Sequence, residues 1–173
     1  MRKTAYFCGR AVERWPNKIE LEEYFFAPQG RRFFESGTDS ASLDARGLYG
    51  TESLEQGKGR IDVVLFLWGH PEYGVYLSYQ KRDGDYGDAY VSMGDLGRLG
   101  EWVETTHEDL ASIGLFISVE NAWKAVREFV ETGGELPKAI EWIRADDLPS
   151  HAFPEPGTVS RDHPNVRRRF LNG

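Results

Sequence analysis

Residues 60–68 read Arg60-Ile61-Asp62-Val63-Val64-Leu65-Phe66-Leu67-Trp68, a run dense in branched and aromatic side chains. Such a run suits a pleated, largely buried strand. Gly69-His70-Pro71-Glu72-Tyr73-Gly74 then supplies turn chemistry, and residues 75–81 alternate as a second strand. Two runs joined by a short Gly/Pro turn predict an antiparallel hairpin, and the rest of the chain has to be arranged around it. A polar loop leads to a third strand over 89–93, and Gly94, Gly97 and Gly100 punctuate the next loop. Residues 101–105 read as a fourth strand, and 113–117 as a further short strand or a bend into a helix.

That helix spans 118–132. Ser118 suits the N-cap, because its hydroxyl can accept an orphan backbone N–H of the first turn. Glu120 sits where the helix dipole favours an anion. Val119, Ala122, Trp123, Val126, Phe129 and Val130 recur at three- and four-residue spacing and make one apolar face. Gly133-Gly134 and then Pro137 end it. Residues 139–143 alternate as a last strand bearing Trp142; Trp123 and Trp142 read as core residues. Towards the N-terminus, residues 4–8 suit a short strand. Residues 18–34 read as a hairpin turning at Ala27-Pro28-Gln29-Gly30, with a helix through Glu20-Leu21-Glu22-Glu23-Tyr24-Phe25 as the alternative. Residues 37–59, rich in Gly, Ser, Thr and Asp, read as a long connection with room for one helical turn. Antiparallel strands, one long helix and a returning strand, without strand–helix alternation, predict an α+β domain over 1–148. Residues 149–173, proline-rich and basic at Arg167-Arg168-Arg169, read as an extension, draped on the domain or partly disordered, that adds little to stability.

Charge and motifs exclude several functions. With 21 basic and 28 acidic residues the formal net charge is −7, which argues against a dedicated nucleic-acid binder and suits a basic partner. The single cysteine, Cys8, excludes an internal disulfide framework. Arg10, Glu13 and Arg14 interrupt the stretch where a secretory leader would need its apolar run. No stretch approaches the eighteen or so apolar residues of a membrane helix, so the expectation is a soluble, cytoplasmic protein. Neither a phosphate-cradling loop, a dinucleotide loop nor a nucleophile elbow is present. His70, His107, His151 and His163 share no helical face of the kind that binds zinc. We therefore expect no catalytic residues, no metal and no cofactor.

One segment stands out. Between residues 83 and 109, Asp83, Asp85, Asp88, Asp95, Glu101, Glu104, Glu108 and Asp109 face the single cation Arg98. Three readings stay open for it: a solvated acidic face, a paired acid and base, or a docking surface for a cationic partner. Aromatic side chains beside charges are what interface hot spots use. On the docking reading the contact residues are Asp85, Tyr86, Asp88, Tyr90, Asp95, Glu101, Trp102 and Glu104.

The block Ser118-Val119-Glu120-Asn121-Ala122-Trp123-Lys124-Ala125-Val126-Arg127-Glu128-Phe129, the turn Thr132-Gly133-Gly134-Glu135-Leu136-Pro137 and the strand Ile140-Glu141-Trp142 carry a resemblance. With the hairpin over 61–80 before them, they resemble the first immunity-protein family of the bacterial polymorphic toxin systems, over roughly residues 60–148. The resemblance implies a small α+β protein without catalytic residues. It would bind a cognate secreted toxin, a nuclease or nucleobase deaminase, and occlude its basic active-site surface. Two other readings are a small hydrolase using the 83–109 carboxylates, and an interaction domain of the broader immunity and scaffold class.

Overall fold

In the computed structural model the described residues are 1–7, 9–26, 40–84, 86–104, 110–155 and 157–167. The elements are β1 (Arg2–Phe7), β2 (Arg10–Val12), α1 (Lys18–Phe26), β3 (Ser40–Arg46), β4 (Ile61–His70), β5 (Gly74–Asp83), β6 (Tyr86–Ser92), β7 (Trp102–Glu104), β8 (Leu110–Ser112), β9 (Phe116–Ile117), α2 (Val119–Thr132), β10 (Trp142–Arg144) and β11 (Val166–Arg167). The protein is α+β. Its main sheet runs β10-β6-β5-β4-β3-β1-β2, with β9 beside the first residues of β5, and its pairings are antiparallel.

The β4–β5 hairpin lies at the centre of this sheet, in a register that pairs Leu65 with Tyr79 and Leu67 with Leu77. Its turn closes on Gly74, whose φ of 92° favours glycine, and a Cβ there would lie 2.1 Å from the Ile117 carbonyl oxygen. That close approach is what lets β9 dock beside β5.

Both helices cover one face of the sheet. α2 is held as its sequence predicts: the Ser118 hydroxyl accepts the Asn121 N–H at 3.2 Å. The Gly133 and Gly134 N–H groups close a Schellman motif on the Val130 and Phe129 carbonyls. Val119, Ala122, Val126 and Phe129 are buried beneath it. The Phe129 ring lies 4.9 Å from Trp15 and 6.2 Å from Tyr79. Trp123 and Trp142 are half-buried at the edge of this core rather than inside it.

Two expectations are corrected, and of the two readings of the C-terminal segment the draped one holds for the described residues. Residues 18–26 form a helix, not the first arm of a hairpin, because Asn17 and Glu20 make a capping box. The Asn17 side chain accepts the Glu20 N–H at 3.0 Å, and the Glu20 carboxylate accepts the Asn17 N–H at 2.8 Å. The other half of the expected hairpin lies outside the described residues. The connection expected over 37–59 contains a full interior strand, β3, whose Ala41, Leu43 and Ala45 meet Leu67, Leu65 and Val63 of β4. The extension after residue 148 is packed, at least to Arg167. Its β11 pairs in parallel with β7, Ala152 is wholly buried, and the Phe153 ring lies 6.0 Å from that of Tyr76.

A second, smaller layer sits on the opposite face of the sheet. It contains the three-stranded sheet β11-β7-β8 and a cluster built on Tyr76, Val91, Val103, Ile113, Leu115 and Phe116. Ser92 ties the layers together: its hydroxyl accepts the Leu77 N–H at 2.9 Å and donates to the Leu115 carbonyl at 2.7 Å. This layer covers only part of its face, and the remainder is open. No described helix is long and apolar enough to cross a membrane.

Candidate binding surface

The 83–109 residues do not converge on one surface. Asp85 lies outside the described residues, as do Glu108 and Asp109, and Tyr86 opens β6 opposite Asp83. Asp88 is exposed on β6 with the Arg144 guanidinium 3.8 Å away. Tyr90 is half-buried on the helix-covered side, 6.4 Å from the Tyr79 ring and under Arg144. The remaining four belong to the small layer on the other side. Asp95 caps a single helical turn by accepting the Gly97 N–H at 3.0 Å. Glu101 takes a bidentate contact from Arg98 and has Arg167 at 3.8 Å, and the hydrogen bond from Arg98 holds its carboxyl below the usual range. Glu104 pairs with Arg161 at 3.0 Å. Trp102 is only 6% exposed, and its indole N–H donates to the His151 carbonyl at 2.8 Å.

Linear sequence therefore misjudges this segment in two ways. Arg144, Arg161 and Arg167, all distant in the chain, are folded back onto its carboxylates. Its most apolar aromatic is spent inside, between β7 and the C-terminal segment. What stays acidic and exposed is Asp83, Asp88 and Asp95, with Asp146 and Asp147 beyond β10.

The open part of the sheet is a more coherent surface. Strand alternation sends Val63, Leu65 and Leu67 under the helices and Asp62, Val64 and Phe66 to the other side. Reading across the registers gives successive rows. Arg2 (paired with Glu13), Arg46, Asp62 and Arg82 form the first, Thr4, Asp44, Val64 and Gln80 the second, and Tyr6, Ser42, Phe66 and Ser78 the third. Ser40, Trp68 and Tyr76 come next, where the small layer closes the face. Phe66 is 45% exposed and Tyr6 41%. Between the rows runs a shallow groove of about 300 Å³, lined by Asp44, Arg46, Arg60, Asp62, Phe66 and Arg82 among others.

The charges on this face are ordered. Arg60 grips Asp62 with contacts of 2.9–3.1 Å, and Asp62 also accepts the Gly47 N–H at 3.0 Å. Arg82 donates to the Gln80 side-chain oxygen at 2.7 Å, which leaves most of its donors facing outward. Arg46 and Arg82 make no ion pair with a described residue. Asp44 accepts from the Ser42 hydroxyl at 3.0 Å, and burial pushes its carboxyl up despite that bond and nearby Arg46. None of these side chains stands out in the sequence alone. The signal lies in β4, where Asp62, Phe66 and Trp68 alternate with the aliphatic set Ile61, Val63, Leu65 and Leu67.

The described residues hold no group of three His, Cys, Asp or Glu side chains placed to bind a metal. Compared with family models, curated proteins and solved structures, the chain matches none.

Proposed function

We propose that this protein is an inhibitor that works by binding: an immunity protein that captures a cognate secreted bacterial toxin, in the cytoplasm, and occludes its active site. The observation that carries the reading is the open face of β3, β4 and β5. It offers exposed Phe66 and Tyr6, a gripped Arg60–Asp62 pair and two outward arginines on a rigid sheet. Aromatic and arginine side chains on a firm platform are what protein interfaces use as anchors. The groove is shallow and wide, which suits a protein partner better than a small molecule that must be mostly enclosed. The sequence resemblance over residues 60–148 supplies the class of partner. The basic active-site surface expected of a nuclease or deaminase toxin would meet the exposed Asp95, which lies on the same side of the sheet as this face, and that charge pairing would speed capture.

Co-expression with a toxin encoded beside this chain tests the reading. The expected result is co-purification and rescue of growth, with both lost in Phe66→Arg while the thermal transition is unchanged. A toxin that is neither bound nor neutralised, or a complex indifferent to Phe66→Arg, would show that the face is not the toxin's site.

A further inference from the structure

We infer that the open sheet face receives one extended segment of the partner, carrying a carboxylate that lies between Arg46 and Arg82 and an apolar side chain that lies on Phe66. The inference rests on this face being a protein-binding surface and not on the partner being a toxin.

The argument starts from the registers. Arg46 and Arg82 flank Asp62 on neighbouring strands, so their Cα atoms are separated by two inter-strand steps, roughly 10 Å. That gap is wide enough for one carboxylate to reach both guanidinium groups. The Asp62 charge between them is already satisfied by Arg60 and the Gly47 N–H. Arg46 and Arg82 are thus left on either side of a neutralised Arg60–Asp62 pair, without an ion pair of their own among the described residues. In a chain of net charge −7, two arginines on one face without an ion pair among the described residues are a local reversal of sign. Guanidinium groups match a carboxylate's geometry, and such charge-assisted bonds are among the stronger contacts an interface can make.

The other end of the face is apolar. Phe66 lies two rows beyond Asp62 on the same strand, about 13 Å away at the usual strand rise, with Val64 midway. In an extended segment laid along β4, the side chains facing the sheet recur every second residue. A carboxylate at one position thus places the side chain four residues on above Phe66, and the one between them above Val64. A polyanion such as nucleic acid fits poorly, because a phosphate one row along β4 from the arginines would fall beside Asp44, and the next over apolar Phe66. The class of ligand is a single-acid, apolar-tailed peptide.

The probe is a fluorescein-labelled pentapeptide, Glu-Thr-Val-Thr-Phe, titrated into the full chain and followed by anisotropy. Lys-Thr-Val-Thr-Phe, Glu-Thr-Ser-Thr-Ser and a short oligothymidylate are compared with it. Saturable binding is expected, weakened about tenfold or more by either peptide change and not displaced by the oligothymidylate. The Arg46→Gln/Arg82→Gln double variant should weaken the glutamate peptide about tenfold and leave the lysine peptide unchanged. Amide shifts in the wild-type protein, which need no variant, should map to residues 44–46, 62–66 and 80–82. Absence of saturation, equal binding of the lysine peptide, displacement by the oligothymidylate, or shifts elsewhere overturns the inference. If the toxin is captured through Phe66 but the pentapeptide does not bind, this inference fails and the proposed function stands.

Discussion

Replacing Trp102 separates a structural role from a binding one. The side chain is 6% exposed, its backbone N–H donates to the Asn165 carbonyl at 2.9 Å, and its indole N–H donates to the His151 carbonyl. The ring also meets His163 edge-on at 5.6 Å. Trp102→Ala removes the apolar body and leaves a hole between β7 and the C-terminal segment. Core Trp→Ala changes cost about 3–5 kcal/mol, and this site lies in the small layer, where partial collapse favours the lower end, about 3. Trp102→Phe keeps most of the ring area and loses one hydrogen bond, leaving the His151 carbonyl without its donor, at about 1–2 kcal/mol. In a chain of this size, each kcal/mol moves the midpoint by about 2–4 °C. Thermal unfolding followed by far-UV circular dichroism should then show a fall of about 6–12 °C for alanine and about 2–8 °C for phenylalanine. If both variants melt within a degree of the parent, Trp102 is not structural, and its indole is free to serve as a partner's anchor.

Phe129→Ala, at a wholly buried position against Trp15 and Tyr79, should cost about 3–5 kcal/mol in urea denaturation; a cost under 1 would refute the packing of α2 on the sheet. Truncation after Leu148 should lower the melting temperature by several degrees, since it removes β11, buried Ala152 and the acceptor for Trp102; an unchanged transition would restore the view of this segment as an appendage. The Glu20 carboxyl, held at about 2 by hydrogen bonds from Arg14 and the Asn17 N–H, has its folded pKa below the unfolded value of 4.5. Its contribution is therefore present above about pH 4.5 and lost as pH falls through about 2; being a partly exposed surface pair screened by solvent, it is worth under about 1 kcal/mol. Glu20→Gln should remove that part of the acid-limb slope, most visibly at low salt, and an unchanged slope would show that the contact adds nothing.

The legible parts of the fold are those where local preference and tertiary environment agree. β5 is branched and aromatic because both faces over residues 75–79 are covered, β4 alternates a buried aliphatic set with a more exposed one, and α2 carries its own caps and one apolar face. β3 escapes a reading by pattern because Ser40-Ala41-Ser42-Leu43-Asp44-Ala45-Arg46 has the right period but small side chains. Alanines fit there only because Trp15 and the helices press close, so β3 is specified by neighbours rather than by propensity. α1 escapes it because the capping box depends on a side chain reaching back across one turn, a signal outweighed by the Pro-Gly turn beyond it. At the surface the obstacle is different in kind. Counting charges along residues 83–109 ignores arginines that arrive from residues 144–167, and the rows of the open face exist only once four strands share a register.

The parallel pairing of β11 with β7 bears on the order of folding. Val166 meets Trp102 across a sequence separation of 64 residues, whereas β4, β5 and β6 are joined by tight turns. Short-range hairpins close with little loss of chain entropy, and a distant strand must wait until its target exists. The β4–β5–β6 meander is accordingly the natural nucleus, and the β7–β11 seam is the last to zip and the first to open. Amide exchange should be slowest at Leu65, Leu67 and Leu77 and much faster at Trp102 and Val166, so the protein would begin to come apart from its C-terminal segment while its central sheet still stands.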